Sequence, residues 1–195
     1  MKNSRCLNLC LSMVLMVCNF MIHASNEPDK PWFTQMEDAI DEDNSSAVQK
    51  LLYSESVDIN AIDPDSKRTF LIGATEKNSV QCVKLLLACG ADIHYQNKHG
   101  RIALMCAAKY NSKESLQLLL TADADLNHQD KYGNTALMLA VGIGSYKPKY
   151  MHFKLIDLLV KYGADNTILK GKYKANITIY RKFKSDGSIK VSYSI

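Results

Sequence analysis

A leucine motif that returns at fixed spacing is the strongest constraint on this 195-residue chain. Leucine pairs recur in Lys50-Leu51-Leu52, Lys84-Leu85-Leu86, Gln117-Leu118-Leu119 and Asp157-Leu158-Leu159. Each is followed by a turn built around Asp58, Asp92, Asp125 and Asp165, and the steps are 34, 33 and 40 residues. A second register runs through Leu71, Leu104 and Leu137 at steps of 33 and 33, in segments closing on Ala74-Thr75, Ala107-Ala108 and Ala140-Val141. The repeated unit is a pair of helices that cannot cover its own apolar surface: Leu116, Leu119 and Leu120 lie on one helix, Leu104, Ala107 and Ala108 on the other. Only stacking of neighbours buries such faces. The result is an elongated all-α solenoid with one continuous core and a cap at each end.

The wording of the unit narrows this further. Gly100-Arg101-Ile102-Ala103-Leu104-Met105-Cys106-Ala107-Ala108 reads as a first helix, Lys113 to Leu120 as a second, and Ala124-Asp125-Leu126-Asn127 as the following turn. Thr135-Ala136-Leu137-Met138-Leu139-Ala140 partly spells the Thr-Pro-Leu-His-x-Ala block of the ankyrin repeat. Gly90-Ala91-Asp92-Ile93-His94 and Gly163-Ala164-Asp165 match its Gly-Ala-Asp turn. Over residues 36–169 the chain therefore resembles the ankyrin repeat family, and the resemblance implies about four stacked helix-turn-helix repeats. It departs from the pattern at several points. Phe70, Ala103 and Ala136 stand where the family carries Pro, and Asp123 stands for a turn Gly. The connecting fingers place Gly100 and Gly133 where a left-handed residue is needed, whereas Lys67 takes that place in the first finger, which has one extra residue within Asp63-Pro64-Asp65-Ser66. A differently shaped first finger is expected. In repeat four seven extra residues, within Gly142 to Tyr150, separate the helices; they are expected to project from the side opposite the fingers, with Tyr146 and Tyr150 as a rival contact patch.

The flanks read differently. Lys2 and Arg5 precede the apolar run Cys6 to Ile22, which closes on Ile22-His23-Ala24, the pattern of a secretory signal peptide over residues 1–24. Export to a secreted or periplasmic location is expected; an uncleaved anchor is the alternative, and Val17 is too bulky for Cys18 to be a lipidation site. Residues 25–35 read as a linker, with Trp32-Phe33 covering the end of the core behind the first cap, Met36 to Leu52. Past Lys170-Gly171, Ile177 and Ile179 alternate with polar neighbours, Ser185 to Ser188 makes a turn, and Ile189, Val191 and Tyr193 alternate again: a basic C-terminal β-hairpin tail, residues 170–195, expected to dock on the last repeat. The tail carries a net charge of +6 and residues 25–169 carry −4. A nucleic-acid site is not expected, because no groove or helical basic stripe accompanies the tail.

Catalysis finds no support. His-Glu-x-x-His, a Gly-rich phosphate loop and a nucleophile elbow are all missing from the sequence. Neither a cofactor nor a metal is expected. His94 and His128 read as equivalent turn positions of successive repeats, too far apart to share a metal, and the recurring Asp residues read as turn formers. Cys82 and Cys89, about 10.5 Å apart on one helix, cannot bridge; Cys106 reads as a small core filler, with a bridge to Cys82 across the repeat interface as the alternative in an oxidising compartment. The resemblance implies a noncatalytic protein-binding module, monomeric, whose partner meets the finger tips and the exposed positions of the first helices. Carried onto this sequence, those positions are Gln96, Lys98, His99, Arg101, Lys109 and Tyr110 in repeat three and Gln129, Lys131, Tyr132 and Asn134 in repeat four. Lys, Arg, Tyr and His predominate, so an acidic protein surface is the expected partner, without nucleic acid or membrane. The alternatives are an exported inhibitor or immunity-type protein blocking a secreted enzyme or toxin, and a host-directed virulence factor.

Overall fold

In the computed structural model the described residues are 32–53, 57–142, 152–165, 178–183 and 189–194. The leader, the repeat-four insertion and the residues flanking the C-terminal strands lie outside them, so the expectations placed there meet no structural description. Four helix pairs stack in chain order: α1 (Trp32–Asp41) with α2 (Ser45–Leu52), α3 (Phe70–Lys77) with α4 (Val80–Ala88), α5 (Ala103–Tyr110) with α6 (Lys113–Thr121), and α7 (Ala136–Ala140) with α8 (Phe153–Tyr162). Helices of five to ten residues fall below the roughly 12–15 needed to persist alone in water, so packing has to hold them.

The two helices of a pair meet that need differently. The first helices form an inner row, and in α5 every residue from Ala103 to Ala108 is buried. Small side chains let α5 pack closely between α3 and α7. The second helices are one-sided: in α6, Ser115, Leu116, Leu119 and Leu120 are buried, while Lys113, Glu114 and Gln117 face water. Leu71, Leu104 and Leu137, the second register, are all at most 1% exposed in one continuous core. The expected solenoid is therefore the observed fold.

Helix starts lacking Pro are capped by other means. Thr69 and Thr135 accept from the N–H groups of Ile72 at 3.5 Å and Met138 at 3.4 Å, while Ile102 caps α5 without a side-chain bond. Inner helices end on left-handed Asp43, Asn78 and Asn111, with φ of 50°, 57° and 60°. Two of these also tie on the next repeat: Asp43 Oδ1 accepts from the first N–H groups of α4, Gln81 at 3.0 Å and Cys82 at 3.1 Å, and Asn78 Oδ1 accepts from the Ser115 hydroxyl at 3.0 Å. Asp123 replaces the turn Gly by taking a φ of 64° itself. α7 is cut to five residues, ending just before Gly142 at φ 89°.

The first helix begins at Trp32, four residues ahead of Met36 and inside the stretch read as linker. Its aromatic pair extends the helix because it has a surface to cover: Trp32 meets Phe70 edge-on and Phe33 packs tilted against it, at ring-centre distances of 6.1 and 4.8 Å. At the other end Thr178–Phe183 (β1) pairs antiparallel with Ile189–Ser194 (β2), Ile179 opposite Tyr193. The turn between them, and hence closure of a hairpin, lies outside the described residues.

Candidate functional site

Each finger is held from within by one polar side chain. In the second finger Asn97 Oδ1 accepts from the N–H groups of His99 at 2.9 Å and Arg101 at 3.1 Å. In the third, Asp130 Oδ1 accepts from those of Tyr132 and Asn134, both at 2.9 Å. Gly100 and Gly133 close these turns at φ 75° and 73°. The tips are consequently Lys98-His99 and Lys131-Tyr132. The first finger is wider, as expected: the Asp63 N–H donates to Arg68 O at 2.8 Å, one residue further along than in the second finger, and Lys67 takes the left-handed place at φ 54°.

The second and third fingers lean on each other. The Lys131 N–H donates to His99 O at 3.0 Å, and the His128 ring bonds Gly100 O at 3.0 Å through Nε2. A Cβ on Gly100 would lie 3.0 Å from the Lys131 backbone nitrogen, so only glycine permits this approach. Arg101 Nε donates to Asp130 Oδ2 at 3.0 Å, with the two side chains 12% and 0% exposed. Burial pulls the Asp130 carboxyl upward, but hydrogen bonds from Asn134, Arg101 and Tyr132 outweigh it and hold it below its ordinary value.

These contacts divide the ten sequence-derived positions. Gln96, Lys98, Lys109, Tyr110, Gln129, Lys131 and Tyr132 are exposed and His99 is half-buried. Asn134 is not a contact residue: it is 3% exposed, and its amide donates to Asp130 at 3.2 Å inside the finger. Arg101 is likewise committed to holding two fingers together rather than presented to a partner. The histidine equivalence also needs correction, because the finger registers align His94 with Asn127 and place His128 one position later. The turn Asp residues do what was expected of them: Asp58, Asp92 and Asp125 accept from the N–H two residues on, at 2.9, 2.9 and 3.0 Å.

The exposed cations converge. His99 is driven below its ordinary pKa first by burial and then by Arg101, Lys109, Lys98 and Lys131, so the imidazole is neutral at pH 7 amid positive charge. Beside it lies a groove of about 180 Å³ whose far wall is supplied by Ser66, Arg68 and Glu76. These three were not singled out in the sequence. Arg68 sits 33 residues before Arg101, in its register, and that spacing was the available signal. Arg68 is held by Glu76 at 2.9 Å and Glu37 at 3.7 Å. An adjoining groove of about 240 Å³ is lined by Glu37, Asp38 and Asp41 with Arg68 and Lys77, so acidic groups join the cations toward the first repeat.

Cys82, Cys89 and Cys106 are free thiols, and burial pushes Cys82 and Cys106 up to about 12, which keeps both protonated and unreactive. A family model of ankyrin repeats in three copies matches residues 36–130 and 71–170, well over half of the chain. The chain belongs to the ankyrin repeat family. No curated protein matches it. As an ankyrin-repeat protein it is a protein–protein interaction module, and such proteins are in general noncatalytic. Among the described residues of this ankyrin stack no helix is long and apolar enough to cross a membrane.

Proposed function

We propose that this module binds an acidic surface of a partner protein through its finger side, with Lys98, Lys109 and Lys131 supplying attraction and Tyr110 and Tyr132 supplying contact area. The observation that carries the reading is the convergence of Lys98, Lys109 and Lys131 on His99 beside exposed aromatic side chains. Rim charges of this kind steer association, whereas a large aromatic at a fingertip anchors the bound state. Tyr132, 59% exposed on a turn fixed by Asp130 and Gly133, is the strongest anchor. Export belongs to the same proposal and rests on Lys2, Arg5 and the apolar run Cys6 to Ile22.

A pull-down of the mature protein with mass spectrometry supplies the partner, and a binding titration then separates the sites. Tyr132→Ala is expected to cost about 2 kcal/mol of binding. Lys131→Ala should instead slow association and flatten its salt dependence. A loss confined to the Tyr146→Ala, Tyr150→Ala double variant would move the site to the insertion and overturn the finger-side assignment. N-terminal sequencing from the native host should begin near Ser25; an intact Met1 form recovered from the cytoplasm would overturn export.

A further inference from the structure

We propose that the groove between the first and second fingers receives one carboxylate side chain of the partner, carried on a peptide segment whose acidic residues continue toward the third finger. This rests on the reading that the finger side is the binding surface. Size sets the first limit. With a water occupying about 30 Å³, a groove of about 180 Å³ has room for one acidic side chain.

The state of the cations sets the second. Both guanidinium groups are already engaged, Arg68 by Ser66 Oγ at 2.9 Å and Glu76 at 2.9 Å, and Arg101 by Asp130 at 3.0 Å. The ammonium groups are not so matched. Lys109 Nζ meets the neutral Tyr110 hydroxyl at 3.3 Å and lies 4.8 Å from the centre of its ring, and among the described residues Lys98 has no ion-pair partner. Two ammonium point charges attract an anion without fixing its plane, and the size of the groove matches a single carboxylate side chain. The Tyr110 ring, 47% exposed at the edge of the groove, offers a face to the methylenes of that side chain.

Direction follows from the neighbours. Toward the first repeat an acidic segment would meet Glu37, Asp38 and Asp41, where the lining cations, Arg68 and Lys77, are already paired with Glu37 and Asp41, and toward the fourth it meets Lys131. His99 lies between these fields and reports occupancy. It faces Lys98 and Arg101 on its own finger, Lys109 from α5 and Lys131 from the third finger, with Glu76 of α3 across the groove. Burial first and these cations second keep the ring neutral, and a carboxylate seated there offsets the cations.

The test uses the full chain and the ring-proton NMR titration of His99, assigned with His99→Gln. The probe is a blocked hexapeptide alternating Glu and Gly, with its Gln counterpart as control. The Glu peptide is expected to raise the His99 pKa by about one unit, a tenfold gain in proton affinity, and the Gln peptide to leave it in place. Lys98→Gln with Lys109→Gln should abolish the response while the thermal midpoint stays that of the parent, since both side chains are exposed. An unmoved His99 overturns the proposal, as does inorganic phosphate at equal ionic strength moving it as far. A partner protein weakened by Tyr132→Ala but indifferent to the double Lys variant overturns the groove and leaves the finger-side reading standing. Indifference to all three substitutions overturns both.

Discussion

Replacing Asp130 by Ala is expected to destabilise the chain more than removing its ion-pair partner, because the carboxylate serves four donors. These are the backbone N–H groups of Tyr132 and Asn134 at 2.9 Å each, Asn134 Nδ2 at 3.2 Å and Arg101 Nε at 3.0 Å. Tyr132 lies at an exposed tip where water replaces the lost acceptor, whereas Asn134 is buried and Arg101 nearly so. Three donors are left dry, both of Asn134 and the Nε of Arg101, at about 1–3 kcal/mol apiece, so Asp130→Ala should cost at least about 3 kcal/mol. Arg101→Ala removes one charge-assisted bond and leaves Asp130 its other three donors, a loss of about 1.5–3 kcal/mol. Asp130→Asn should be mildest, about 1 kcal/mol, since Asn97 holds the second finger through the same Oδ1 geometry. The Asp130 pKa is depressed below its ordinary 3.8, so its contribution is present above that value and is lost as pH falls through the folded-state value. The parent should therefore lose its advantage over Asp130→Asn as pH falls below about 3.8. Urea unfolding of the full chain, followed by circular dichroism at several pH values, reads both effects. Equal midpoints for Asp130→Ala and Arg101→Ala, or an Asn variant as damaged as the Ala one, would refute the reasoning.

Three further outcomes test the register of the stack. Leu119→Ala should cost about 2–5 kcal/mol through lost burial and a cavity, against less than about 0.5 for Gln117→Ala, and equal urea shifts would mean the face of α6 is misassigned. Asp123→Gly should raise the unfolding midpoint, by up to about 1 kcal/mol, because it relieves a left-handed non-glycine residue at φ 64°; a lowered midpoint would show that the Asp side chain matters more than its backbone. Ser112 Oγ is buried without a hydrogen-bond partner among the described residues, whereas Ser79 Oγ donates to Ile40 O at 2.6 Å. Ser79→Ala should then cost about 1 kcal/mol and Ser112→Ala close to nothing, an order that a thermal melt of each variant can reverse.

The fold was legible because periodicity and burial are the same fact seen twice: a residue returning every 33 positions faces its own copy across a repeat interface, as Leu71, Leu104 and Leu137 do. Turn chemistry was legible for the same local reason at Gly100 and Gly133. The site was legible only in outline. Period alone places Arg101 and Asn134 at one register, but only the pairing of two fingers in space turns the first into a bridge to Asp130 and seals in the second. Arg68 and Glu76 escaped notice because the first finger, one residue longer, hides the register that Arg68 shares with Arg101. The start of α1 was missed because a helix beginning on two aromatic residues has no capping signal; Phe70, distant in sequence, supplies the reason for it.

One interruption in the turn ladder bears on how the array yields. Asn60 Oδ1 accepts from the Asp92 N–H at 2.8 Å, and Asn127 Oδ1 from the Asp165 N–H at 2.9 Å, which bolts the first turn to the second and the third to the fourth. His94 stands in the intervening place, and among the described residues the Asp125 N–H receives no such side-chain acceptor. On the opposite edge the order is inverted, since the second and third fingers are joined by backbone, imidazole and ion-pair contacts. In an array held by nearest-neighbour couplings, compliance gathers at the missing bolt. A hinge there, with the paired fingers as its axis, is the expectation, with the Asn78–Ser115 bond at 3.0 Å still spanning the same two repeats. The contacts that pair those fingers also hold the tips Lys98-His99 and Lys131-Tyr132 at a set spacing, whatever the curvature of the rest.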